Sequence, residues 1–187
     1  EMDGSEESAS AETLLVEAIL RRHGARDLRP AADPADRARL WQGRKKAFGA
    51  LGRLAPDLVV QDAVVPRSAL PDILDRISAI RDRLDLRISN VFHAGDGNLH
   101  PCISFDRRDP ELTERVHMAN REIMAACLAA GGSLTGEHGV GTDKREYMPE
   151  AFTAATLEAM CEVRRVFDPE ARANPGKVFP THICREW

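Results

Sequence analysis

His93 and His100 bracket the run Ala94-Gly95-Asp96-Gly97-Asn98-Leu99. Asp-Gly between two alternating apolar runs signals a two-residue hairpin turn. With Asp96 and Gly97 at the centre of the turn, Gly95 faces Asn98, Ala94 faces Leu99 and His93 faces His100. Directly opposed side chains share a sheet face, with Cβ atoms about 5 Å apart. Two imidazoles so placed begin a metal site. The alternative is a pair of surface histidines on an exposed hairpin. Alternation assigns the faces: Leu86, Ile88, Phe92, Leu99, Ile103 and Phe105 on one, and Arg87, Ser89, His93, His100, Cys102 and Ser104 on the other, with Asn98. Pro101 falls opposite Phe92, and its missing N–H is tolerable where the outer side is an edge or a bulge.

A second segment, Gly131-Gly132-Ser133-Leu134-Thr135-Gly136-Glu137-His138-Gly139-Val140-Gly141, holds five glycines in eleven residues, too many for a helix. It reads as a strand end feeding a tight loop, with Glu137 and His138 as its isolated ionisable side chains. His93, His100 and Glu137 together make two imidazoles and a carboxylate, a set that leaves coordination positions open. A 2-hydroxy acid could chelate such an ion through its hydroxyl and one carboxylate oxygen, and the ion would lower the hydroxyl pKa. His138 could take that proton, since imidazole readily titrates near neutrality. A Gly-rich anion-binding loop or a plain turn is the competing reading. His23, His117 and His182 are read as structural or solvated.

The elements that position these residues follow from periodicity. Helices are expected over 10–23 and 34–51, the second with Asp33 as N-cap and Pro34 in its first turn. Residues 1–9 are expected to be frayed. Residues 57–65 are Val-rich and read as a strand. Leu70, Ile73, Leu74, Ile77, Ile80 and Leu84 recur at helical spacing. Strands over 86–93 and 99–105, a helix over 110–130 and a short strand at 133–135 follow. The order strand-helix-strand-strand-helix-strand predicts an α+β fold with a ferredoxin-like antiparallel sheet and helices on one face. A helix over 149–166 and a Pro-rich tail end the chain. Three regions are expected: 1–56, the helical part of a truncated cap domain; 57–140, the βαββαβ metal and substrate region; and 141–187, C-terminal helices and tail.

Composition narrows the partners. Apolar residues at 43% and charged residues at 30% suit a globular chain, and a net charge of −4 argues against a nucleic-acid binder. No apolar run reaches membrane-spanning length. The N-terminus is neither a signal nor a transit peptide. Cys102, Cys127, Cys161 and Cys184 form no C-x-x-C pair; they read as free thiols in a reducing compartment, without disulfides or thiolate metal sites.

These motifs, with Phe167-Asp168-Pro169 and Asn174-Pro175-Gly176-Lys177, resemble the C-terminal domain of FAD-linked oxidases of the vanillyl-alcohol oxidase superfamily. Gly43-Arg44-Lys45-Lys46-Ala47-Phe48 and Asp62-Ala63-Val64-Val65-Pro66-Arg67 narrow the resemblance to the glycolate oxidase flavin subunit, with D-lactate and D-2-hydroxyglutarate dehydrogenases as relatives. The resemblance covers nearly the whole chain. It implies that His93, His100 and Glu137 bind a divalent metal, zinc or a transition ion. It also implies that His138 acts at the substrate hydroxyl, Asn98 lies beside the substrate, Arg44 holds its carboxylate, and the segment around Asn174 approaches the flavin, whose N5 would take the hydride. Relatives that oxidise longer diacids place a lysine near Val60; its absence here implies a small monoacid such as glycolate or D-lactate.

The FAD-binding domain is expected to precede residue 1, because no G-x-G-x-x-G follows a strand here. Expected partners are that domain, further glycolate oxidase-type subunits, and a second copy of the fragment through an uncovered apolar face. The expected location is the cytoplasm, at the inner membrane's periphery through partner subunits. Two other readings stay open: a stand-alone metal-dependent hydrolase using the same ligands, and a non-catalytic assembly module.

Overall fold

A computed structural model describes residues 2–180 and residue 183. Cys184 and His182 lie outside the described residues. The chain divides into two compact units, residues 1–46 and residues 47–187.

The first unit is helical. Helix α1 (Glu6–Arg22) begins at Ser5, whose hydroxyl accepts from Ser8 N, so regular structure starts before the expected residue 10. Helix α2 (Pro34–Lys45) starts at Asp33 as the sequence predicts. Asp36, buried in its first turn, accepts from Ala32 N and pairs with Arg29 and Arg39, which ties the preceding loop to the helix.

The second unit opens with the short helix α3 (Ala47–Leu51), so the expected helix over 34–51 is two, interrupted at Lys46. Strands β1 (Asp57–Val60) and β2 (Ala63–Val64), helix α4 (Leu70–Arg83), strands β3 (Arg87–His93) and β4 (Asn98–Phe105) and helix α5 (Pro110–Ala129) follow. Strand β4 is central and buried on both faces. It pairs antiparallel with β3 along one edge and with β1 and then β2 along the other. Helices α4 and α5 pack on each other and on the sheet. Ile73, Ile77 and Ile80 of α4 and Val116, Ala119, Ile123 and Met124 of α5 form the core with Leu99 and Ile103 of β4. The α+β fold and antiparallel sheet are those expected from the order of elements. The expected strand at 133–135 contracts to one bridge, Val64 with Ser133. The C-terminal helix is also two, α6 (Met148–Ala151) and α7 (Ala154–Phe167), the latter N-capped by Thr153.

The hairpin register differs from the two-residue turn. His93 pairs with Asn98, Phe92 with Leu99 and Val91 with His100, leaving residues 94–97 as the loop. Val65 N–H donates to the Gly97 carbonyl at 3.0 Å, so the β2 side draws Gly97 into the sheet. Gly97 sits at φ +74°, and a Cβ there would lie 2.1 Å from Val65 O. The slip is two residues, one full strand period, so both histidines keep the face that alternation assigns them.

The candidate metal and substrate site

The site begins with a gap in a hydrogen-bond ladder. Val60 pairs with Cys102 and Ala63 with Leu99 in one common register, so Gln61 and Asp62 lie opposite Pro101 and His100. Gln61 N–H donates to Pro101 O at 2.9 Å. The reciprocal bond cannot form, because proline has no N–H. Gln61 O is left available, and His100 Nδ1 takes it at 3.1 Å. An Nδ1–H donated to a carbonyl leaves Nε2 as the ring's lone pair. Pro101 thus faces the break between β1 and β2.

His100 is 1% exposed, with Phe48 edge-on to its ring. Its Nε2 lies 3.1 Å from Glu137 Oε1. His93 Nε2 lies 3.8 Å and His138 Nε2 3.7 Å from the same oxygen. The His93 and His100 rings stand 5.6 Å apart at 85°, and His138 stacks on His100 at 5.1 Å. One ligand atom from each of His93, His100 and Glu137 lies within 4.8 Å of the others, close enough to share an ion. Diagonal neighbours on β3 and β4 thus bring together the two histidines that the sequence places face to face.

Asn98 is buried opposite His93, and its Oδ1 has no hydrogen-bond partner among the described residues. A Cβ on Gly136 would fall 2.6 Å from Asn98 Nδ2, so the loop bearing Glu137 lies flat on this amide. Asn98 therefore borders the same group. Asn174 lies elsewhere in the second unit, in the loop after α7 at φ +50°, its carbonyl bound by Arg164. Arg44 lies in the last turn of α2, in the first unit.

Sequence reasoning passed over Asp62, Gln61 and Lys144. Asp62 is fully buried and accepts from Thr135, from backbone N–H groups of residues 136–138 and from Lys144. Burial alone would raise the Asp62 pKa. The Thr135 hydroxyl, the His138 N–H and the Lys144 ammonium outweigh it and hold the carboxyl well below its usual range. Burial also disfavours charge on Lys144, and there it wins: the pKa is lowered despite Asp62, because one carboxylate and its carbonyl face a largely dehydrated ammonium. The signal for Asp62 was present, as a polar pair inside the run Val59-Val60-Gln61-Asp62-Ala63-Val64-Val65. Lys144 carried none.

Cys102, Cys127 and Cys161 are buried, and burial pushes the Cys102 and Cys127 pKa values up to about 11. No helix among the described residues is long and apolar enough to cross a membrane.

The chain is also similar to known proteins. The family model for FAD linked oxidases, C-terminal domain, matches residues 1–178. Glycolate oxidase subunit GlcD of Escherichia coli is 43% identical over 188 aligned positions, covering 100% of this chain and 38% of the relative. The Bacillus subtilis GlcD is 36% identical, covering 96% and 38%. The mitochondrial D-lactate dehydrogenase [cytochrome] of Arabidopsis thaliana is 33% identical, covering 98% and 33%. The chain thus spans little more than a third of the length of these relatives, and it belongs to the family of FAD-linked oxidases, C-terminal domain.

Proposed function

We propose that this chain is the metal- and substrate-binding part of a flavin-dependent 2-hydroxy-acid oxidoreductase of glycolate or D-lactate type. The observation that carries the reading is the convergence of His93, His100 and Glu137 beside His138. Two imidazole nitrogens and a carboxylate oxygen suit zinc or another borderline divalent ion and leave positions open for a ligand. His100 meets the further requirement that a ligating imidazole be oriented through its other nitrogen.

A divalent ion held there would bind the substrate hydroxyl and lower its pKa. His138 accepts the hydroxyl proton as general base. Asn98, which borders the site, would lie beside the substrate, and Arg44 would supply a guanidinium for its carboxylate. Loss of that proton and of a hydride from the α-carbon converts a 2-hydroxy acid to a 2-oxo acid; FAD would supply the hydride acceptor, and Asn174 would lie toward it. Val60 lies on the histidine-bearing face of the sheet and is apolar there, so it gives no cation to a second carboxylate. That supports a small monoacid. In this reading the flavin domain and further oxidase subunits are the partners, in the cytoplasm or at the membrane's periphery.

Calorimetric titration of the chain with Zn²⁺, Mn²⁺ or Co²⁺ tests the site. One ion per chain is expected, and binding should vanish in a variant carrying both His93→Ala and His100→Ala. Unchanged metal binding in that variant would remove the site. Hydrolysis of simple esters by the metal-loaded chain, without flavin, would favour a metal hydrolase instead.

A further inference from the structure

The loop that presents Glu137 and His138 is anchored on a residue distant in the chain. Its N–H groups at residues 136, 137 and 138 all point at one carboxylate, that of Asp62, with closest approaches of 3.0, 3.3 and 3.0 Å. The Thr135 hydroxyl donates to the same group at 2.5 Å and accepts from Gly139 N at 2.8 Å, closing the loop on itself. Lys144 Nζ reaches Asp62 Oδ2 at 3.1 Å and the Asp62 carbonyl at 2.5 Å, fixing the residue from both ends. A buried ion pair is costly to desolvate, and its best-attested use is to enforce one geometry among several.

Asp62 and His138 form a second possible ligand group with His100. The Asp62 carboxylate of that group is already taken up by internal donors. Asp62 Oδ1 lies 4.0 Å from His100 Nδ1, but the ring nitrogen addresses Gln61 O instead. Asp62 is therefore placed to orient ligands and not to be one.

We propose that Asp62, locked by Lys144, is a positioning residue of the metal centre: through Thr135 and the N–H groups of residues 136–138 it sets the direction of Glu137 and His138 against His100. With Gln61, which aligns His100 through its carbonyl, a single dipeptide of the β1–β2 edge would then orient three of the four site side chains. The proposal rests on the reading that His93, His100 and Glu137 hold a metal.

The test is Asp62→Asn in the full chain, which keeps the side-chain shape but turns an acceptor into a donor facing other donors. Loss of such an orienting partner typically weakens metal binding about 10–100-fold. The expected result is that loss in calorimetric Co²⁺ affinity, with a changed visible d–d spectrum of the bound Co²⁺ and native far-UV circular dichroism. Thr135→Val removes one donor and leaves the ion pair, so it should shift the spectrum the same way with a several-fold loss. If Asp62→Asn does not fold, Thr135→Val decides alone, and unchanged affinity and spectrum overturn the proposal. A lower Tm with unaltered Co²⁺ affinity and spectrum in either variant also overturns it, because that is a structural role only. Failure of the unsubstituted chain to bind Co²⁺ would sink the metal reading itself, a distinct outcome.

Discussion

His100 and His138 stack on each other, yet their surroundings differ. His100 is buried and addressed on both ring nitrogens, whereas His138 is half exposed and reaches the group from its rim. His138→Gln in the flavin-containing enzyme is expected to leave metal affinity within a few-fold and to lower kcat/KM by about 10²–10⁴, the usual contribution of a general base. Steady-state kinetics beside calorimetry checks both halves; loss of metal would place His138 among the ligands. Asp62 sets an acid limit. Its folded pKa is depressed, so its contribution to stability is complete above the unfolded value of about 3.9 and is lost as pH falls through the lower folded value. The difference in Tm between the unsubstituted chain and Asp62→Asn should therefore be steady above pH 5 and shrink at strongly acid pH. The thiols give a third expectation. Cys102 and Cys127, buried with pKa values near 11, should resist iodoacetamide in the folded chain at pH 8 and react only on unfolding.

At the scale of elements, the β4 strand joins both halves of the site, and Pro101 is where its ladder is left open. Pro101→Ala restores an N–H opposite Gln61 O. That N–H should compete with His100 Nδ1, close the ladder between β1 and β2, and weaken metal binding while the chain stays folded. Titration of this variant measures the effect; unchanged affinity would mean that the proline serves only the strand. Gly97→Ala should fail differently. It places a Cβ against Val65 O at a left-handed backbone position, so Tm should fall by the equivalent of about 1–3 kcal/mol or more.

These two residues also mark where the sequence was legible. The faces of β3 and β4 followed from alternation, because a strand's period is local. The pairing His93–Asn98 did not, because β2, distant in the chain, claims Gly97. The isolated Glu137 and His138 stood out against glycines. Asp62 was hidden because its partners lie on a loop that becomes its neighbour only after α5 packs.

At the scale of the molecule, the first unit carries a group of exposed large apolar side chains. Helix α1 buries none of its residues; Leu14 is 69% and Leu15 62% exposed, and Leu40 and Trp41 of α2 are exposed too. By itself the chain is expected to self-associate through these side chains. Sedimentation velocity over a range of concentrations should show oligomers that Leu14→Glu with Leu15→Glu reduces; a monomer throughout would refute it.

The proposed ligands His93, His100 and Glu137 come from β3, β4 and the loop beyond α5, with β4 at the centre. An unfolded chain has no reason to hold these three together. Binding of an ion at this point would then be linked to folding, adding RT ln(1 + [L]/Kd) to the unfolding free energy, about 2.7 kcal/mol at a hundredfold excess over Kd. The melting temperature would climb with the logarithm of free metal, and a chelator would bring it down. The unfolding curve of the second unit would in effect serve as a binding isotherm, read without flavin, substrate or turnover.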